Sequence, residues 1–304
     1  MNDVDTKLLK TITEKTKYEE AYNIRKDGKC LDRKVSEYVN IVSKTDVSGI
    51  DIIVKENTKM CFVDIPVILT KSGMSDVVYN DFYIGKNSYA IITAGCGIHN
   101  DGCNDSRHDG IHRFYLSEGA KVRYIENHYG EGEGNGARIL NPQTEVYLKE
   151  NSSMEMKTAQ IKGVNSSIRI TKAELKDNAK LVINEKIMTH DDQTAKTEFK
   201  VKLDGVDSSV RVTSRTVATD NSKVEFVSNV TGNNKCFGHV ECDAIIKDNG
   251  KATSIPEIIA NSTEAELIHE ATIGKIAKDQ LKKLMTLGLT QKEAEETIIK
   301  GFLK

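Results

Sequence analysis

Tryptophan is absent from this 304-residue chain, and aromatic residues make up only 6% of it. A polysaccharide-cleaving enzyme needs paired carboxylates, and we would also expect an exposed aromatic groove, which this composition supplies poorly. The formal net charge is −2, so no strong positive field exists to attract nucleic acid or an anionic membrane. These absences argue against nucleic acid as a partner and weaken the case for a carbohydrate-active enzyme.

Long hydrophobic runs are also missing. None approaches the roughly 20 residues that a membrane-spanning helix requires, and residues 1–5 are polar and acidic, unlike the start of a secretory signal. We therefore expect a cytoplasmic protein with no membrane partner. In such a protein the cysteines are more often free thiols or metal ligands than a disulfide framework. The six are Cys30, Cys61, Cys96, Cys103, Cys236 and Cys242.

The chain divides by pattern into three parts. Residues 1–50 are predicted to form an N-terminal helical segment, because apolar residues recur at roughly helical spacing and Asp27-Gly28 supplies a stop signal. The apolar residues concerned are Leu8, Leu9, Ile12, Tyr18, Ala21, Tyr22 and Ile24. Residues 51–270 are predicted to be a β region, and residues 271–304 a C-terminal helical segment in which Thr290 and Glu293 form a capping box.

A repeated phrase runs through the β region: a turn residue, a small residue, then alternating apolar and polar positions. Successive copies often lie about 13–14 residues apart, which is typical of a solenoid whose units stack on one another. The copies are 118–124, 150–156, 165–170, 177–183, 207–212, 220–226 and 262–268. We predict a mainly β protein with a parallel β-helix, the alternative being an antiparallel sandwich.

Cys242 lies in an alternating strand pattern, His239-Val240-Glu241-Cys242-Asp243, which directs Val240 and Cys242 inward. About two dozen residues later His269 and Glu270 follow on another predicted strand, where neighbours face opposite ways. A thiol, an imidazole and a carboxylate are a soft metal-ligand set without zinc-finger spacing. The alternative is a buried core thiol and a core histidine.

A second group of metal-binding residue types comprises Cys96, His99 and Cys103, followed by His108 and His112. These residues could ligate zinc or iron, although their spacing matches no zinc finger. The alternative is a mobile polar loop.

The glycine-rich stretch 130–136 lacks the Lys-Ser/Thr ending of a phosphate-binding loop, so we expect a flexible loop there. Asp191-Asp192 beside His190 is expected to be a turn.

Several motifs occur in an order that resembles the SufB and SufD subunits of the SUF iron–sulfur assembly system. The resemblance covers roughly residues 85–304. Its densest parts are Gly238-His239-Val240-Glu241-Cys242-Asp243, 254–258, 265–272, 274–276 and 279–281. The chain is shorter at its N-terminus than typical SufB proteins, and Ile268 stands where some of them have an acidic residue.

The resemblance implies a right-handed parallel β-helix with helical ends that assembles a transient iron–sulfur cluster from iron and persulfide sulfur. It implies that Cys242 is the cluster-building cysteine, with His269 and Glu270 as further cofactor and metal ligands. It also implies a SufC-like ABC ATPase docked on the C-terminal helices, pairing with itself or with a SufB- or SufD-like subunit, a sulfur donor, and apo iron–sulfur proteins as recipients. We expect a scaffold and not an enzyme. The alternatives are a SufD-like structural subunit without its own cluster and a β-solenoid carbohydrate-active enzyme.

Overall fold

The computed structural model describes residues 1–15, 17–18 and 20–304. The chain is mainly β, with 58% of it in strands that form a parallel solenoid of about 8 turns, and short helices stand at both ends. The helices are α1 (Asp3–Thr13), α2 (Lys278–Thr286) and α3 (Gln291–Phe302). None of the helices in this described part is long and apolar enough to span a bilayer.

Two sheets form the solenoid wall. Sheet A contains, in spatial order, β2 (Lys29–Lys34), β1 (Ala21–Lys26), β5 (Cys61–Leu69), β7 (Tyr89–His99), β9 (Lys121–Glu131), β12 (Ser153–Lys162), β14 (Lys180–Thr189), β16 (Ser208–Ala218), β18 (Cys236–Ile246) and β20 (Ala265–Gly274). Sheet B contains β19 (Lys251–Ala260), β17 (Lys223–Gly232), β15 (Thr194–Leu203), β13 (Ser166–Leu175), β10 (Arg138–Leu140), β8 (Ser106–Leu116), β6 (Ser75–Ile84), β4 (Gly49–Val54) and β3 (Val39–Ser43), with β11 (Gln143–Leu148) also between β8 and β13.

The repeat seen in the sequence corresponds to half a turn of the solenoid. Lys121 lies opposite Ser153, and Ser153 lies opposite Lys180, so one coil takes about 30 residues. Copies about 13 residues apart, such as 165–170 on β13 and 177–183 on β14, fall in different sheets, whereas copies about 30 residues apart, such as 118–124 on β9 and 150–156 on β12, pair within one sheet. The ladders are parallel, which excludes the antiparallel sandwich; among the described strands only β1–β2 and β3–β4 pair antiparallel.

Backbone geometry explains why a turn residue begins the repeated phrase. Asn87, Asn151 and Asn178 adopt φ of 54°, 58° and 57°, the left-handed region that asparagine tolerates better than most residues. Each also donates its backbone N–H to the corner of the next coil, as from Asn151 to the carbonyl oxygen of Asp177 at 2.9 Å. The corners therefore stack along one edge of the solenoid.

The predicted N-terminal helical segment is confirmed only over α1. The prediction of helix through residue 50 is wrong, because four strands, β1 to β4, lie between Ala21 and Val54. Asp27 and Gly28 have φ of 46° and 78° and form the two-residue turn of the β1–β2 hairpin. Positive φ at both central residues gives the type I′ twist that joins antiparallel strands, and Asp-Gly is a preferred sequence for it.

Helix α1 covers part of the outer face of sheet A. Its residues Leu8 and Ile12 are fully buried there and lie over Gly95 and Gly97 of β7. A Cβ added at Gly95 would lie 3.1 Å from the Ile12 Cβ, and one at Gly97 would lie 3.2 Å from the Leu8 Cδ2. The two glycines flank Cys96 and allow the helix to approach the strand closely, because they carry no side chain.

Candidate functional site

Cys242 and His269 share the inner face of the last coil. In the β18–β20 ladder Val240 lies opposite His269, and Cys242 lies opposite Ala271. Residues opposite each other on parallel strands point the same way, and every second residue of one strand does too. The imidazole and the thiol are therefore diagonal neighbours on the side of the sheet that faces the solenoid interior.

Glu270 lies on the other side of the sheet. It is opposite Glu241 in the ladder, and its Oε2 is 3.4 Å from the Nε2 of His239. The prediction that His269 and Glu270 face opposite ways is confirmed by this register. The three predicted ligands are thus divided, with Cys242 and His269 inside and Glu270 outside.

The Cys242 thiol is protonated at neutral pH in the isolated chain. Its exposed fraction is 3%, and burial raises its pKa to about 11, an effect that the Ser254 hydroxyl partly opposes. Burial, together with the nearby His239, lowers the pKa of His269, so this imidazole favours its neutral form. Its Nε2 is buried and has no hydrogen-bond partner among the described residues. A neutral imidazole with a free nitrogen is a competent metal ligand, whereas a protonated thiol is not.

The coil that carries this site is the last one. β20 ends the strand order of sheet A and β19 ends that of sheet B, so each has a strand neighbour in its own sheet on one side only. Many of their residues are exposed, in contrast to the preceding coils. The exposed large apolar residues of these strands are Ile255, Ile258, Ile259, Ile268 and Ile273. An edge with unpaired backbone groups and exposed isoleucines is a surface for pairing with another chain.

The second predicted group is only partly brought together: Cys96, His108 and His112 line one small cavity, whereas His99 and Cys103 do not. Cys96 lies on β7 with 2% of its surface exposed, and burial raises its pKa well above the usual value. His99 ends the same strand and contacts Asp101 and Glu131, while Cys103 is exposed. Throughout the described residues, no three or more His, Cys, Asp or Glu side chains are arranged to hold a metal ion. This holds for Cys242, His269 and Glu270 as well.

Histidines cluster on the inner face of the solenoid near Cys96. Cys96 lies opposite His128 in the β7–β9 ladder, and both line a small cavity of about 10 Å³ together with His108 and His112. Gly110 makes this space, since a Cβ there would lie 3.3 Å from the His108 Nε2 and 3.4 Å from the His112 Nε2. The cavity has room for about one water molecule.

Burial holds His112 in its neutral form, and its hydrogen bonds fit a neutral ring. The Tyr124 hydroxyl donates to Glu126 at 2.9 Å, so at 2.7 Å the His112 Nδ1–H donates to the Tyr124 oxygen. The Asn80 amide then donates to His112 Nε2 at 3.3 Å. Burial lowers the pKa of His112 to about 4.

A charged network that the sequence analysis missed continues inside the coils. Arg169 contacts Glu126 directly, approaches His128 at 3.2 Å, and places its Nε 3.5 Å from Glu185. Glu185 also accepts hydrogen bonds from Thr197 and Ser214. Arg169 holds the pKa of Glu126 well below its usual range against the effect of burial, whereas burial raises the pKa of Glu185.

Polar atoms therefore extend from the histidine cavity towards Cys242. Ser214, which donates to Glu185 at 2.8 Å, lies opposite Cys242 in the β16–β18 ladder. The sequence did contain a signal for this network. Glu126, Arg169 and Glu185 are charged residues at positions where the regular alternation predicts an inward-facing apolar side chain.

The glycine-rich stretch is closely packed, and the expectation of a flexible loop is not supported. A Cβ at Gly132, Gly134 or Gly136 would lie 2.2 to 2.4 Å from backbone atoms of residues 100–104. The glycines thus allow two adjacent loops to stack. Asp191 lies in a turn as expected, with φ of 52°.

Comparisons with known proteins identify relatives from one family. A family model described as "SUF system FeS cluster assembly, SufBD core domain" matches residues 69–302. An iron–sulfur cluster assembly SufBD family protein of Pyrococcus horikoshii is 30% identical over 260 residues, covering 83% of this chain and 77% of its own length. A protein of the same description from Methanocaldococcus jannaschii is 27% identical over 290 residues, covering 92% and 89%. The SufB protein of Bacillus subtilis is 35% identical over 104 residues, covering 32% and 22%.

Proposed function

Because the chain belongs to the SufBD family of iron–sulfur cluster assembly proteins, we propose that it is a scaffold subunit on which a labile cluster is built. The cluster is cargo that is assembled and passed on, not a resident cofactor. The single observation that carries the proposal is that Cys242 and His269 share the inner face of the coil that ends the solenoid. In this proposal the chain is not itself an enzyme.

The chemistry matches the residue types present. The Cys242 thiolate attacks the outer sulfur of a donor persulfide, and the donor's thiolate leaves. The Cys242 sulfur then binds iron, with the His269 imidazole as a second ligand, and Glu270 on the outer face is left to serve a partner subunit. Mixed thiolate and imidazole ligands hold a cluster less firmly than four thiolates, which suits a scaffold that must release it.

Activation of Cys242 requires a change in its surroundings. A thiol with a pKa of about 11 forms little thiolate at neutral pH. We propose that a second subunit, either another copy or a SufB- or SufD-like chain, pairs along the exposed edge of β20 and supplies the missing ligands. Iron binding then favours the thiolate, since metal coordination displaces the thiol proton.

The C-terminal helices are proposed to dock a SufC-like ATPase. Helix α2 has no buried residue, and Met285 and Leu287 at its end are 44% and 79% exposed. Short helices with uncovered apolar residues gain stability by packing on a partner. A cytoplasmic location, a sulfur donor and apo iron–sulfur proteins as recipients complete the proposal.

The test compares two cysteines of one strand. Cys236 and Cys242 both lie on β18, face inward and are buried, so Cys236→Ala is a matched control for Cys242→Ala. After anaerobic reconstitution with iron, sulfide and a SufC-like partner, we expect Cys242→Ala to lose bound iron and sulfide and Cys236→Ala to retain them. Wild-type iron and sulfide content in Cys242→Ala, with an unchanged circular dichroism spectrum, would refute the scaffold role.

A SufD-like role without a cluster is the second candidate. It is favoured by the protonated thiol and by the absence of a metal-holding group within residues 1–15, 17–18 and 20–304. In that case the wild-type chain would still form a complex with its partners but would bring no iron or sulfide to it. Metal analysis of the purified complex, combined with its mass, separates the two roles.

A further inference from the structure

A cavity of about 230 Å³ lies at the N-terminal end of the solenoid, at the opposite end from Cys242 and His269. It lies between the β1–β2 hairpin and the β3–β4 hairpin, and its inner wall comes from inward-facing residues of β5 and β6. Its volume is somewhat below the roughly 300–1,000 Å³ of a site for a drug-sized molecule. The cavity therefore suits a ligand of about the size of an amino acid.

An accessible thiol forms part of the wall of this cavity. Cys30 is exposed and lines the cavity, and its Sγ donates to the Asn23 Oδ1 at 3.3 Å. The Arg33 Nε donates to the same oxygen at 2.8 Å. The thiol and the guanidinium, both on β2, therefore meet on one side-chain oxygen of β1.

Arg33 differs from the other cations of the cavity in having no ionic partner. Arg25 donates to Asp76 at 2.6 and 2.9 Å, and Lys44 contacts Asp51 at 2.5 Å, so both are already paired. In the described part of the chain, no carboxylate lies within ion-pair distance of the Arg33 guanidinium, which bonds to the neutral Asn23 amide. A guanidinium without an ionic partner is a binding group for a carboxylate.

A buried acceptor without a partner lines the inner wall of the cavity. Asn80 is 4% exposed and reaches the cavity from β6. Its amide nitrogen donates to the His112 Nε2 at 3.3 Å, but its Oδ1 has no hydrogen-bond partner among the described residues. Because a buried oxygen left unpaired costs stability, a ligand that donates an N–H to it gains affinity.

These three groups together match one class of molecule. Arg33 is suited to a carboxylate, the Asn80 Oδ1 to an ammonium or N–H donor, and the Cys30 thiol to another sulfur. We propose that this cavity binds the disulfide of a small amino-acid thiol and that Cys30 forms a mixed disulfide with it.

The reaction is a thiol–disulfide exchange. The Cys30 thiolate attacks one sulfur of the bound disulfide, so that a new S–S bond forms while the old one breaks. The other half of the disulfide leaves as a thiolate and takes up the proton that Cys30 lost. Cys30 is oxidised and the departing thiol is reduced, so the bound disulfide is itself the oxidant.

The proposal does not depend on the cluster-assembly role and is tested on the full chain alone. Cystine carries both a carboxylate and an ammonium group, whereas cystamine lacks the carboxylate and dithiodipropionate lacks the ammonium group. Hydroxyethyl disulfide lacks both groups and serves as the reference. Peptide mass spectrometry gives the rate of mixed-disulfide formation at Cys30 and at the exposed Cys103. Dividing each rate by that of the reference disulfide removes differences in access and ionisation between the two thiols.

We expect the normalised cystine rate to be about ten-fold higher at Cys30 than at Cys103, because a charge-assisted hydrogen bond holds the carboxylate. Cystamine and dithiodipropionate should each show a smaller preference for Cys30. Equal normalised cystine rates at the two cysteines, or a full preference with either incomplete disulfide, would overturn the proposal.

Two variants of one strand separate the cavity from general charge. Arg33→Gln should lower the normalised cystine rate at Cys30 to about that of Cys103, while Cys103 itself is unaffected. Lys29→Gln is the matched control, because Lys29 is an exposed cation at the start of β2 and is not part of the cavity lining. It should keep the preference for Cys30. An unchanged preference in Arg33→Gln, or an equal loss in both variants, would contradict the assignment.

Discussion

Two thiol–imidazole pairs lie on the inner face of sheet A, one in the middle of the solenoid and one at its end. Cys96 lies opposite His128 on adjacent strands, and Cys242 is a diagonal neighbour of His269. Both thiols are almost completely buried in this chain, and burial raises the pKa of both. Side-chain chemistry alone therefore does not distinguish them.

The difference is what lies beyond each pair. The Cys96 pair has coils on both sides, and its histidine contacts Arg169 and Glu126 in a closed network. The Cys242 pair has no further coil after β20, and the His269 Nε2 has no hydrogen-bond partner among the described residues. The same residue types thus stabilise a polar interior in one place and remain available to a ligand or partner in the other.

The largest effect is expected from removing Arg169, the cation of the network beside the Cys96 pair. Arg169→Met leaves Glu126 charged and buried without its main partner, and loss of one member of a buried ion pair costs about 3–5 kcal/mol of unfolding free energy. Urea denaturation should show this loss. Arg211→Met on the exposed face of β16 is the control and should change stability by less than about 0.5 kcal/mol.

Adding Glu126→Gln to Arg169→Met should recover part of the loss, because no carboxylate is then left unpaired at Glu126. If the single Arg169→Met variant proved as stable as the wild type, the network would not be holding the middle coils together.

Acid should also destabilise the network beside the Cys96 pair. The pKa of His112 is about 4 in the folded chain against 6.5 for an ordinary histidine, so the folded state binds fewer protons than the unfolded one. The stability contributed by neutral His112 is present above pH 6.5 and is lost as the pH falls towards 4, by up to about 3 kcal/mol. Glu126, His108, His128 and Arg169 surround the ring and set the same electrostatic balance.

The measurement is the unfolding free energy of wild type and His112→Gln between pH 7 and pH 4. The variant should show a shallower decline over that interval, whereas His190→Gln, at a half-buried turn position, should decline as steeply as the wild type. Parallel curves for all three proteins would show that His112 is not the group being protonated.

Much of the fold could be predicted because alternation and turn residues repeat in every coil. Alternation also placed His269 and Glu270 on opposite faces, which the register confirms. The hairpin at Asp27-Gly28 was missed because its apolar residues happen to fall at helical spacing, and the turn signal was interpreted as a helix stop.

The interior network could not be predicted from local pattern. Glu126, Arg169 and Glu185 are far apart in sequence and meet only because coils of about 30 residues superimpose them. A register shift of one residue would turn each of these side chains to the outer surface. Which of His269 and Glu270 shares a face with Cys242 depends on the same register, which alternation within a single strand does not determine.

The two thiols themselves provide the most direct test of the comparison. Alkylation by iodoacetamide requires both the thiolate and access to the sulfur, so burial and the pKa of about 11 should make Cys242 react much more slowly at pH 7 than an exposed cysteine. Opening of the last coil alone exposes Cys242, whereas Cys96 becomes accessible only when the middle coils unfold. Peptide mass spectrometry follows each site separately, with the exposed Cys30 and Cys103 as rapidly modified references. Equal rates at Cys96 and Cys242 would mean that the end of the solenoid is no more open than its middle.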